Sequence, residues 1–212
     1  MQPRLNLSKM NRITNAELQA LLKSMTPQQK MEFLEELEEQ QRRLQLRQAR
    51  GDMLSFAKEV YPGFKEGAHH RKLSKIFADV ASGNKKRVII NIAPRMGKSE
   101  FASYLFPAWF LGQYPEQKII MATHTAGLSE DFGRRVRNLI EGEDYAQVFP
   151  GTKVADDQKA AGKWSTNEGG QYYAVGVGGA LAGRGADLFV IDDPHSEQDI
   201  KANSRATFDN AW

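Results

Sequence analysis

The sequence predicts an α/β domain preceded by a helical arm, and three observations carry that prediction. Four short runs rich in apolar and β-branched residues, at 88–92, 118–122, 172–177 and 188–191, read as buried strands. Apolar residues at helical spacing follow the first of them, as in Phe101, Leu105 and Trp109. Two of the runs end abruptly in turns that carry chemistry, Gly97-Lys98-Ser99 after the first and Asp192-Asp193 after the last.

At 212 residues the chain has room for one full-sized α/β domain and a small appendage. It contains no cysteine, which excludes a disulfide framework and cysteine-ligated metal. No apolar stretch approaches the roughly 18 residues that span a bilayer, and the N-terminus lacks the apolar segment of a signal peptide. A soluble, intracellular protein with no membrane partner is the expectation. The formal net charge of +3 does not by itself indicate nucleic acid. Lys and Arg are clustered, however, at 42–50, 71–75, 85–87 and 134–137.

Residues 1–13 are polar and irregular, and disorder is expected there. Thr14 to Glu17 reads as a capping box for a short helix reaching about Lys23, and Thr26-Pro27-Gln28-Gln29 opens a longer one. Met31, Leu34, Leu37, Leu44 and Leu46 give that second helix a partial apolar stripe, with glutamates early and arginines late as the macrodipole favours. This arm, 1–50, suits packing on the main domain or on a partner. Gly51 ends the pattern, and the main domain is expected over 51–212.

Tyr61-Pro62-Gly63 reads as a turn, followed by a helix from His69-His70-Arg71 to about Val80 that Ser82-Gly83-Asn84 closes. Adjacent histidines face different ways on a helix, so a paired metal site is not expected. Each reads as a capping or packing residue, or as a contact to a nucleotide base. Beyond 88–92, a helix over 99–112, a turn at Gly112 to Pro115, a strand over 118–122 and a helix over about 125–141 follow in order. Arg134, Arg135 and Arg137 on the last helix suit either a solvated face or a phosphate backbone. The stretch 142–171 reads as loop-rich, with Trp164 as its one buried aromatic. The glycine-rich loop 178–185 holds Arg184 and suits close backbone approach to a ligand or a mobile surface segment.

Strand, tight turn and helix is the context in which Gly97-Lys98-Ser99 binds phosphate. Gly97 lets backbone N–H groups turn inward, and the helix N-terminus adds partial positive charge. Lys98 then reaches the β- and γ-phosphates of a nucleotide, and the Ser99 hydroxyl is placed to ligate Mg²⁺. The loop departs from the common pattern, because Ile92 stands where a first glycine is usual and Pro94 and Arg95 fill the turn. A plain helix N-terminus is the alternative reading of the tripeptide. Arg95 favours phosphate, since a guanidinium there would stabilise charge developing on the γ-phosphoryl group. Some 90 residues later Asp192 and Asp193 end the last strand. Asp192 opposite Ser99 would hold Mg²⁺ through water, and Asp193 would orient and deprotonate the attacking water. Aspartates before Pro194 also suit a simple turn. Both halves in this order, each at a strand's end, predict nucleotide hydrolysis.

With these residues in place, the chain from about Phe56 onward resembles the ATPase domain of tailed-bacteriophage terminase large subunits. The likeness rests on Ala68 to Arg71, Pro94-Arg95-Met96-Gly97-Lys98-Ser99-Glu100, Phe106 to Trp109, Asp131 to Arg134, Gly178 to Gly185 and Ile191 to His195. The resemblance implies a RecA-like P-loop NTPase fold of the additional-strand type, with a mostly parallel central sheet flanked by helices. It implies ATP and Mg²⁺ as cofactors and hydrolysis coupled to translocation of double-stranded DNA into a procapsid. It further implies a homo-oligomeric ring, a portal protein and a small terminase subunit as partners, and the host cell cytoplasm as location. By position, Pro94 to Glu100 would cradle the phosphates, with Lys98 and Ser99 on phosphate and metal. Arg95 is a sensor or cis-acting finger, Asp192 the second magnesium contact and Asp193 the water-activating acid, where most such ATPases carry glutamate. Arg184 resembles an arginine that reaches a neighbouring subunit's γ-phosphate, and His70, rather than His69, the adenine-side histidine. Terminases continue into a nuclease domain, and no carboxylate cluster that could form one is seen here, so the ATPase domain is expected to be truncated. A nucleotide-binding assembly module without turnover is the rival reading, and a helicase-like ATPase a third.

Overall fold

The computed structural model describes residues 15–195. The capping box that begins at Thr14 and the disorder expected over 1–13 lie outside the described residues. The chain divides into two compact units, 1–44 and 45–212. Helix α1 (Asn15–Ser24) and most of α2 (Pro27–Gly51) form the first. The Thr26 cap is as the sequence predicts: Gln29 N–H donates to Thr26 Oγ1 at 3.3 Å, and Thr26 N–H donates back to Gln29 Oε1 at 2.9 Å.

The second unit is an α/β fold. Its sheet contains β1 (Lys118–Thr123), β2 (Val154–Ala160), β3 (Lys163–Thr166), β4 (Gln171–Gly176) and β5 (Leu188–Ile191), in the order β2-β3-β4-β1-β5. Strand β1 pairs in parallel with both β4 and β5, whereas β2–β3 and β3–β4 are antiparallel. The sheet is therefore mixed, not mostly parallel. The physical reason lies in 167–170: a tight turn with Gly169 at φ 88° joins β3 to β4 directly, and so short a connection permits only antiparallel pairing. The stretch expected to be loop-rich thus holds a hairpin, and also the short helix α7 (Glu143–Val148).

Helices α3 (Met53–Val60), α4 (Ala68–Ala81), α5 (Phe106–Gln113) and α6 (Ala126–Ile140) complete the unit. One large cluster joins Met53, Phe56, Phe77, Phe101, Trp109, Val136 and Trp164 to Ile119 and Met121 of β1. The opposite face of β1 holds only Ile120 and Ala122 with Val175, and Tyr173 and Leu181 pack against them. No helix residue belongs to that second cluster, so among the described residues the glycine-rich loop takes the place of a covering helix. Helix α3 starts at Asp52, whose carboxylate accepts from Ser55 N–H at 2.8 Å and from Ser74 Oγ–H at 3.0 Å. Burial opposes ionisation of that carboxyl, but the Ser55 and Ser74 hydrogen bonds outweigh it and hold Asp52 below its ordinary value.

Two further expectations are corrected. Residues 88–92 have no ladder partners among the described residues, and Ile89 is 90% exposed, so the buried strand expected there is absent from the sheet as described. β-Branched composition favours a strand only where a neighbour pairs with its N–H and C=O groups. The helix expected over 99–112 opens at Lys98 and Ser99, passes through a π-helical stretch, Glu100–Leu105, and then continues as α5. Among the described residues no helix is long and apolar enough to cross a membrane.

Candidate functional site

Strands β1, β4 and β5 run parallel, so their carboxyl ends share one edge of the sheet, the edge at which open α/β sheets bind ligands. Thr123, Gly176 and Ile191 end there. The phosphate-loop candidate meets the end of β5 at the same place. Lys98 Nζ lies 3.2 Å from Asp192 Oδ1 and also donates to Asp193 Oδ1. Burial disfavours the charged amine, but Asp193 and then Asp192 outweigh that effect and hold Lys98 above its ordinary value.

Local backbone geometry marks the same residues. Gly97 has φ 76°, which glycine adopts without penalty. Arg95 and Asp193 have φ 62° and 42°, and they are the non-glycine residues with positive φ among those described. Such conformations cost roughly 1–3 kcal/mol and cluster at functional sites. Ser99, already helical, makes no side-chain cap hydrogen bond at the start of the π-helical stretch. The π-helix that follows is itself a feature concentrated at functional sites.

Asp192 is buried, with its Oδ2 accepting from Ser103 Oγ–H at 2.8 Å. The hydroxyl held against Asp192 is therefore that of Ser103, one turn beyond Ser99. Sequence reasoning missed this residue, although a serine four positions after Ser99 in an otherwise apolar stretch was the available signal.

The histidines at the start of α4 support the loop from below. His69 Nε2–H donates to the Met96 carbonyl at 2.9 Å. His70 is buried between Phe64 and Phe101 and accepts Gly67 N–H on Nδ1 at 3.0 Å, which caps α4. Its Nε2 lies 3.3 Å from where a Cβ on Gly97 would stand. Since Nδ1 accepts, the neutral ring carries its proton on Nε2, facing the loop. Burial, reinforced by the charge of His69 and opposed by Glu66, holds His70 below its ordinary value.

The other arginines are placed elsewhere. Arg184 lies 3.8 Å over the Tyr173 ring, on β4, with β1 between that strand and β5. Arg135 Nη2–H donates to Glu100 Oε2 at 2.5 Å, and its guanidinium carbon stands 4.2 Å over the Tyr104 ring. Arg134 pairs with Asp131, and Arg137 donates to Asn138 Oδ1 at 3.1 Å. All three arginines of α6 are thus engaged within the chain.

Among the described residues no group of three His, Cys, Asp or Glu side chains could enclose a metal alone. Mg²⁺ bound with a nucleotide needs less, one or two protein oxygens beside phosphates and water. Asp192 Oδ1 and the Ser99 hydroxyl suit that requirement. Fold and site together define an α/β protein whose glycine-lysine turn faces two carboxylates at the carboxyl edge of its parallel strands. Compared with known proteins, the chain matches no family model, no curated protein and no solved structure.

Proposed function

We propose that this chain is a RecA-like P-loop ATPase of the DNA-packaging type, similar to terminase large subunits. In this reading it hydrolyses Mg²⁺-ATP to move double-stranded DNA into a procapsid in the host cell cytoplasm. A ring of subunits, a portal protein and a small terminase subunit would be its working partners. The observation that carries the reading is the meeting of Lys98 with Asp192 and Asp193, from motifs 94 and 95 residues apart. A simple turn gives no reason for one buried and one exposed aspartate to converge on the lysine of a glycine turn.

Lys98 and the N–H groups after Gly97 would bind the phosphates, and His69 and His70 would keep the loop in shape. Asp193 would accept the proton of the attacking water, and Arg95 would offset charge on the γ-phosphoryl group. Asp192 and Ser99 would hold Mg²⁺, which when bound neutralises charge on the phosphate oxygens. Arg184, seated on Tyr173, would serve a neighbouring subunit's nucleotide.

The test is Mg²⁺-dependent ATP hydrolysis measured against protein concentration, with Lys98→Ala as the blank. The expected outcome is a specific rate that rises with concentration, collapses in Arg184→Ala, and falls by 100-fold or more, on the order expected for loss of a general base, in Asp193→Ala. Nucleotide binding without turnover would favour the rival assembly module. One observation leans that way: residues 88–92, which lead into the loop, have no strand partner among the described residues. Failure to bind ATP at all would sink both readings.

A further inference from the structure

Resting on the ATPase reading, we infer that Ser103 is a positioning residue for the metal-binding carboxylate, fixing which oxygen of Asp192 faces the nucleotide. Ser103 is fully buried, and Asp192 is 8% exposed. A buried hydroxyl and a buried carboxylate both need partners, and each finds one in the other. The pairing has a consequence beyond satisfaction. Oδ2 is taken by Ser103, so Oδ1, the oxygen 3.2 Å from Lys98 Nζ, is the one left for the loop side.

Position in the fold explains why Ser103 can do this. It lies in the π-helical turn Glu100–Leu105, on the buried side that faces the end of β5, where its hydroxyl meets Asp192. A carboxylate without this anchor could rotate about its Cβ–Cγ bond and exchange its two oxygens, and both would be drawn to Lys98. Side chains behind a metal ligand typically change metal affinity by about 10- to 100-fold when removed.

The experiment titrates Mg²⁺ against binding of a fluorescent ATP analogue by the full chain, with a parallel titration of the analogue in EDTA. In Ser103→Ala the half-saturating Mg²⁺ concentration is expected to rise about tenfold or more, while analogue affinity in EDTA stays within about twofold. Ser103→Thr, which keeps the hydroxyl, should restore the wild-type value, and in an Asp192→Asn background Ser103→Ala should add nothing. Ser103→Cys preserves volume with a weaker donor and serves if the alanine variant does not fold. An unchanged Mg²⁺ titration overturns the inference alone, as does equal weakening with and without Mg²⁺. Loss of folding in both variants assigns Ser103 a purely structural role and overturns it too. If the wild-type chain shows no Mg²⁺-dependent binding, the ATPase reading itself falls, and the inference with it.

Discussion

On one side of β1 the neighbouring strand is sealed: Tyr172 of β4 is fully buried, stacked on Trp164 at 5.0 Å, and Trp164 Nε1–H donates to the Gly133 carbonyl at 3.0 Å. On the other side β5 leaves Phe189 and Ile191 49% and 40% exposed, and the chain approaching the Gly97-Lys98-Ser99 turn leaves Ile89 more exposed still. The positive-φ non-glycine residues, Arg95 and Asp193, and the Lys98 carboxylate cluster fall on this second side. The same apolar vocabulary therefore serves two purposes. Around β4 and α6 it is closed into a core that resists change. At β5 it carries a polar, strained edge whose geometry depends on a few hydrogen bonds.

That contrast can be broken or sharpened by substitution. The largest effect is expected from Trp164→Ala, which removes the stack and the indole hydrogen bond; a loss of about 3–5 kcal/mol is the usual scale for such a deletion. Denaturant titration reads it, and a loss below 1 kcal/mol would show that the sealed side is not where stability resides. Next comes acid. His70 is held below its ordinary value, so around that value the unfolded chain binds more protons than the folded one. Stability should be level above about pH 6.5 and fall as the pH drops through the unfolded value toward the folded one. A melting curve at each pH checks this, and His70→Gln should flatten that part of the profile. Smaller still is Tyr172→Phe. The Tyr172 hydroxyl is buried without a hydrogen-bond partner, and burial raises its pKa. Removing it should be neutral or stabilising by up to about 1 kcal/mol, since its desolvation is uncompensated. Least of all, Ile89→Ser should change stability by less than about 0.5 kcal/mol, as exposed sites do.

Much of the second unit is legible in sequence because its signals are local. The strands at 118–123, 171–176 and 188–191 are β-branched or aromatic runs bounded by turn residues, and α6 has apolar residues at Phe132, Val136 and Ile140 on one face. Elements that depend on partners are less legible. Strand β2 contains Asp156 and carries no apolar alternation; it exists because β3 pairs with it. Residues 88–92 have the composition of a strand but no paired neighbour among the described residues. Within the candidate site, the residue types and order at Lys98, Asp192 and Asp193 could be read directly. Their supports are harder to read, because Ser103 and His69 act through contacts with Asp192 and Met96, which are distant in sequence.

The left-handed backbone at Arg95 and Asp193 has an evolutionary side. Glycine adopts that conformation freely, so a stabilisation screen scored on folding alone will be drawn to glycine at both positions, with about 1 kcal/mol to gain at each. Those same exchanges would delete the guanidinium and the carboxylate that the proposed reaction requires. Selection for heat resistance and selection for turnover pull the two positions in opposite directions. Libraries enriched for survival at high temperature should therefore accumulate glycine at 95 and 193, and libraries enriched for ATP turnover should purge it.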